Sequence, residues 1–206
     1  MLHLLFDPLC GWCYGAAPAL AALKQNSNIA WQLHPTGLFA RPQAMNAEMA
    51  QYFWSNDQRI AQMTGQVFSQ AYKNNILGDL FTPFNSSNAT LAYYLISQAA
   101  PEQAIHILHR IQQLRYDDGL QESSAFIQIA IEFGLDGQQF AQDFATGWWP
   151  KELSEITSKA QKIMQQHGLR GVPALLLQKD NQFSAVPSSL LYQDPQALID
   201  FVAKHQ

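Results

Sequence analysis

The sequence predicts an α/β domain interrupted by a long all-helical block, and three observations carry that reading. Residues 1–41 pattern as strand, helix, strand; residues 42–150 show only helical spacing; and after residue 150 come a helix, two strands and a helix. The 206 residues suit one generous domain or two small ones. Hydrophobic residues make up 48% of the chain and charged residues 14%, which excludes intrinsic disorder because a core can be buried.

The elements follow in order. Leu2–Phe6 is a short apolar run that ends at Asp7-Pro8, as a buried strand reaching a turn does. Residues 13–23 are rich in Ala and Leu and read as a helix, with Pro18 too deep for its first turn, so that the helix is kinked or delayed there. Residues 29–35 alternate, with Ile29, Trp31 and Leu33 on one face, which gives a second strand. So compact a unit implies two parallel strands joined by a right-handed crossover.

In the helical block, Met49, Phe53 and Trp54 share a face, as do Ile60, Met63 and Val67. Asn88 is placed to cap a helix carrying Leu91, Ala92, Leu95 and Ile96. Pro101 suits the first turn of the next, which carries Ile105, Leu108, Ile111 and Leu114. Ser123 or Ser124 caps a third that Gly134 stops, and Phe140 and Phe144 mark one more segment. Residues 151–167 then form a helix with Leu153, Ile156, Ala160 and Ile163 as its stripe and Gly168 as its stop. Strands at 174–178 and 183–186 flank Lys179-Asp-Asn-Gln182, a hairpin signal, and Asp194-Pro195 opens a last helix. The order βαβ, helices, αββα gives one domain of residues 1–41 and 151–206, with residues 42–150 as a helical insertion.

Composition narrows the function. The formal net charge is −4 and no basic block occurs, so neither a nucleic acid nor an anionic membrane is expected as a partner. No apolar run approaches the ~18 residues of a membrane span. The 25 glutamines are scattered and form no low-complexity tract. Met1-Leu-His-Leu-Leu-Phe6 runs straight into Asp7-Pro8 without a basic segment or cleavable apolar stretch, and the expected location is cytoplasmic. In a reducing compartment a close cysteine pair points to catalysis or metal rather than to a structural disulfide.

Cys10-Gly11-Trp12-Cys13 lies where a strand ends and a helix begins. A cysteine at a helix start has its thiolate stabilised by free backbone N–H groups and the positive end of the dipole. The second cysteine, one helical turn on, can resolve a mixed disulfide made by the first. Cys10 is therefore expected as the exposed nucleophile and Cys13 as the buried resolver. A lone Cys-x-x-Cys can also be an inert pair or half of a zinc site. The latter needs two further ligands, yet there is no third cysteine, and only His106 and His109 among six histidines are close together. No metal is expected. Asp7 is a candidate acceptor for the resolving thiol's proton if buried, or simply a turn residue before Pro8. Trp12 is either a contact for substrate, a lid on the thiol or a packing residue. Tyr14, Trp54, Trp148 and Trp149 either line a groove or belong to the core.

Gly171-Val172-Pro173 precedes the returning strand. With the dithiol and the element order, it resembles the thioredoxin fold, in which such a proline is cis and faces the cysteine motif. That resemblance implies a cis Val172–Pro173 bond beside Cys10, with Val172 and Pro173 contacting an extended substrate strand. The long helical insertion narrows the likeness to the DsbA family, and within it to the signal-less FrnE-like branch of predicted protein-disulfide isomerases. The matching stretches are Phe6-Asp-Pro-Leu-Cys-Gly-Trp-Cys-Tyr-Gly15, Gly37-Leu-Phe, Arg59-Ile-Ala-Gln-Met-Thr-Gly-Gln66, Phe68, Ala71-Tyr72 and Gly168-Leu-Arg-Gly-Val-Pro173.

The function expected is a thiol–disulfide oxidoreductase, reductase or isomerase, acting on protein or small-molecule disulfides and thiols. It would need no cofactor beyond its own redox-active disulfide, with glutathione as a candidate reductant. Its oligomeric state is open. A glutathione-dependent transferase or cis–trans isomerase resembling the kappa-class transferases and chromene-carboxylate isomerases is the alternative, but those relatives carry serine where Cys10 stands. A non-enzymatic holdase that uses a groove beside the insertion is the third reading, and only that one would survive replacement of both cysteines.

Overall fold

The computed structural model describes residues 1–145 and 150–205. Its sheet has four strands in the order β2-β1-β3-β4. The central strand β1 (Leu2–Phe6) is buried at every position, as expected of a strand covered on both faces. It runs parallel to β2 (Trp31–Pro35), with Leu4 opposite Leu33, and antiparallel to β3 (Ala174–Lys179), with Leu4 opposite Leu175. β3 turns back into β4 (Gln182–Ala185) through Asp180 and Asn181, whose φ angles are 48° and 62°. Two successive positive φ values match the right-handed twist of a tight hairpin, and Asp and Asn adopt them at low cost.

Between β1 and β2 the chain forms α1 (Gly11–Gly15) and α2 (Ala17–Gln25). Pro18 falls in the first turn of α2, so the expected kink is a break between two helices at Ala16. α2 packs on α9 (Pro195–His205), and α8 (Lys151–Gln166) packs on β2. α8 ends at Gly168, whose φ of 62° suits the left-handed stop.

Between β2 and α8 lie α3 (Ala47–Thr64), a π-helical stretch (Tyr72–Leu77), α4 (Ser87–Ala99), α5 (Ala104–Tyr116), α6 (Ser123–Glu132) and α7 (Gly137–Ala145). Among the described residues the strand pairing there is a single bridge, Gln43 to Phe84. Two details depart from the sequence reading. The stripe on α3 is wrong toward its end: Met63 is still helical but 47% exposed, and Val67, 51% exposed, lies beyond Gly65, which ends the helix at φ 73°. α4 starts at Ser87 with Ser86, not Asn88, in the cap position. Ser86 spends its hydroxyl elsewhere, and the Ser87 N–H is taken by Asn85 Oδ1 at 2.6 Å. Trp148 and Trp149 lie outside the described residues.

One core cluster runs from the sheet into α4, α5, α6 and α7. A second joins Tyr14 of α1 to Ile60 of α3, Phe68, Tyr72 and Tyr116 of α5. Tyr14 stacks on Tyr116 with ring centres 5.0 Å apart, so it is a core residue that seats α1 against the inserted helices.

Candidate active site

β1 delivers the chain into the core and releases it at Asp7, and three residues later α1 begins. Cys10 holds the cap position of α1 with extended backbone (φ −86°, ψ 114°), and its carbonyl accepts the Tyr14 N–H at 3.1 Å. Its sulfur therefore stands at the open end of the helix. Cys10 Sγ donates to the Val172 carbonyl at 3.3 Å, and the Val172–Pro173 bond is cis, as the sequence reading expects. The structure thus brings Cys10, Cys13, Val172 and Pro173 together from the two ends of the chain. Val172 lies just outside the β1–β3 ladder, which ends at the Leu5–Ala174 pair.

One expectation is corrected. Cys10 is not exposed: only 8% of its surface is accessible, against 3% for Cys13. Its sulfur is hydrogen-bonded to the Val172 carbonyl, and the residue borders only a small cavity that Trp12 and Phe53 also line. Both thiols are free. Burial holds the Cys13 thiol protonated, pushing its pKa well above the ordinary value, and its hydrogen bond with Cys10 adds to this.

Asp7 is fully buried. Its Oδ1 accepts the Leu9 N–H at 3.0 Å, and its Oδ2 accepts the Phe39 N–H at 3.0 Å and the Ser86 hydroxyl at 2.9 Å. Burial raises its pKa, and these hydrogen bonds oppose the shift. Asp7 also acts on Cys13 in both directions: its backbone hydrogen bond favours the thiolate and its carboxylate charge opposes it. Asp7 is thus a buried carboxyl whose charge reaches the inner thiol.

Trp12 is half-buried, with Tyr192 edge-on at 5.0 Å. It separates two openings where the sequence reading expects one groove. A cavity of about 150 Å³ lies toward the inserted helices, lined by Cys10, Trp12, Phe53 and Asp57. A wider one of about 640 Å³ lies on the other side, lined by Trp12, Arg170, Val172, Pro173 and Tyr192. The division arises because the indole leans on Tyr192 across the cleft. Trp54 is elsewhere, half-buried with the Lys73 ammonium 4.9 Å from its ring centre. Of the two histidines close in sequence, His106 meets the edge of Phe133 and His109 meets Gln66 Nε2 at 3.2 Å.

Sequence reasoning missed three groups. Asp57 brings a carboxyl from α3 against Gly11, and Tyr72 donates to it at 2.8 Å. Burial raises its pKa to about 7 despite that bond and the pull of Arg115. Tyr116 donates to the Leu9 carbonyl at 2.7 Å and so fixes the residue before Cys10. Ser86 completes the shell of Asp7. A carboxylate at the helical spacing of Trp54 and Ile60 was a usable signal for Asp57; nothing local marks the other two.

The family model for a DSBA-like thioredoxin domain matches residues 1–193. The chain is similar to the cytosolic disulfide reductase DsbM from Pseudomonas aeruginosa, with a TM-score of 0.86 and 30% identity over 99% of this chain and 97% of that one. A structure of the same reductase with GSH gives a TM-score of 0.84, again at 30% identity, over 99% and 98%. A 2-hydroxychromene-2-carboxylate isomerase shares the fold at 15% identity and a TM-score of 0.58, over 99% and 97%. Comparison with curated proteins finds no match.

Proposed function

Because the chain belongs to the DSBA-like thioredoxin domain family and is a thiol–disulfide oxidoreductase, we propose that it is a cytoplasmic reductase in which Cys10 attacks and Cys13 resolves. The observation that carries this assignment is the placement of Cys10 Sγ, at the start of α1 and 3.3 Å from the Val172 carbonyl, in front of a deeper thiol.

Cys10 loses its proton to solvent, and its thiolate attacks one sulfur of a substrate disulfide. A Cys10–substrate disulfide forms while the other substrate sulfur leaves as a thiolate. Cys13 then gives its proton to Asp7 and attacks Cys10 Sγ, which releases the second substrate thiol. The substrate has gained two electrons and the enzyme holds a Cys10–Cys13 disulfide. Two molecules of a small thiol of the glutathione type restore the dithiol and leave as their own disulfide. The Val172 and Pro173 edge and Trp12 are the surfaces against which substrate lies, and no further cofactor is needed. The GSH-bound state of the similar reductase supports a small-thiol partner.

The test is trapping with oxidised glutathione. Cys13→Ser should accumulate one glutathione on Cys10, seen as a mass increase that dithiothreitol removes. Cys10→Ser should accumulate none. Equal labelling of the two variants would overturn the assignment.

A further inference from the structure

A third cavity, of about 260 Å³, opens behind the cysteine loop where α4 and α5 meet. Its floor is apolar, with Leu9, Ile111 and Phe126 among the lining side chains, and Arg115 stands in its wall. Arg115 is 7% exposed, so its guanidinium is a buried charge. One terminal nitrogen donates to Gln121 Oε1 at 3.1 Å, and both residues line the cavity. Its Nε has no hydrogen-bond partner. Among the described residues no carboxylate lies within ion-pair distance of it. It rests instead near the faces of Phe84 and Tyr72, 5.4 and 5.7 Å from their ring centres.

A buried cation with an unfilled donor is costly unless something anionic compensates it. Asp57 exerts some pull, but it holds its own proton up to near neutral pH and is bonded to Tyr72. The cavity also receives the first turn of α4, through Asn88 and Ala89. A helix start presents unpaired N–H groups and the positive end of its dipole. Two independent features, the guanidinium and the helix start, thus favour negative charge in one small space with a greasy floor.

We propose that this cavity binds a small monocarboxylate with an apolar tail, its carboxylate on Arg115 and the start of α4, its tail on Leu9 and Phe126. One cation and no lysine in the lining suit a single negative charge better than a phosphate dianion. The volume sits just below the ~300 Å³ at which drug-sized ligand pockets begin, so the ligand is small. The site is separate from the dithiol: it meets the cysteine loop at Leu9, whose carbonyl carries the Tyr116 hydroxyl.

The experiment is calorimetric titration of the full chain with hexanoate and with its uncharged counterpart hexanamide. Hexanoate should saturate in the millimolar range and bind at least about tenfold more tightly than hexanamide, because hydrogen bonds to charged groups are the stronger ones. Arg115→Gln should bring hexanoate down to the level of hexanamide, and Ala89→Leu, which fills the cavity, should block both. The comparison of the two probes needs no variant, so it decides even if Arg115→Gln does not fold. Equal binding of the two probes to the native chain, no binding of either, or binding of hexanoate that survives Arg115→Gln or Ala89→Leu would overturn the proposal.

Discussion

Asp57 Oδ1 occupies the space where a Cβ on Gly11 would stand. The glycine between the cysteines is thus what lets α3 press a carboxyl onto the first turn of α1. Gly11→Ala should destabilise the protein by about 1–3 kcal/mol through overpacking. The same change should cost less in an Asp57→Ala background, where the space is vacant. Denaturant midpoints of the four proteins in the cycle measure the coupling, and strict additivity would show that the two residues do not compete for one site.

The pKa of Asp57 gives a pH dependence with a definite sign. Its carboxyl titrates near 7 in the folded protein, against an ordinary value of 3.8. Below that ordinary value both states are protonated and the group is neutral to stability. Between the two values the unfolded chain releases the proton first, so folding loses stability as pH rises. The loss is complete above about pH 7 and is on the order of a few kcal/mol. Asp57→Asn keeps the Tyr72 hydrogen bond and should flatten the decline. The check is urea unfolding of both proteins from acid to neutral pH; parallel profiles would contradict the shift.

Asp7→Asn should slow release of glutathione from a Cys10 mixed disulfide by about a hundredfold, the low end of general-base contributions. The first attack by Cys10 should change far less, since the role proposed for Asp7 is to take the Cys13 proton. Stopped-flow separation of the two steps distinguishes this from a general loss of structure, which would slow both. The variant's resolution rate should also rise steadily with pH, as hydroxide replaces the missing base.

Trp12→Ala should join the two openings beside Cys10. Small alkylating reagents should then react faster with Cys10, because the indole no longer covers it, while KM for a peptide disulfide should rise. Slower alkylation would mean that Trp12 supports the thiol rather than shields it.

The elements legible in the sequence were those written in local chemistry. Asp180-Asn181 carries its own positive φ, Gly168 its own helix stop and Pro195 its own helix start, and each falls where expected. The cysteine motif and Pro173 were legible for the same reason, joined by an element order that a parallel crossover allows. Errors arose where a side chain answers to a distant partner. Ser86 is a capping residue by type, but its hydroxyl is drawn to Asp7, so the start of α4 was misplaced at Asn88. Cys10 is shielded by the Val172 carbonyl from the far end of the chain. Arg115 and Tyr116 look like ordinary helix residues until α5 is laid beside Leu9.

The carboxyl of Asp7 binds three stretches of chain at once: the loop before Cys10, the segment after β2 through Phe39, and the threshold of α4 through Ser86. The inserted helices are therefore riveted to the cysteine loop and do not hang from it by flexible joints. Swinging them aside would strip a buried carboxyl of its donors, at about 1–3 kcal/mol for each group left unpaired. Any displacement of the inserted helices from the cysteine loop would have to break this buried three-way junction first, whereas Trp12, which borders both openings, could turn without disturbing it.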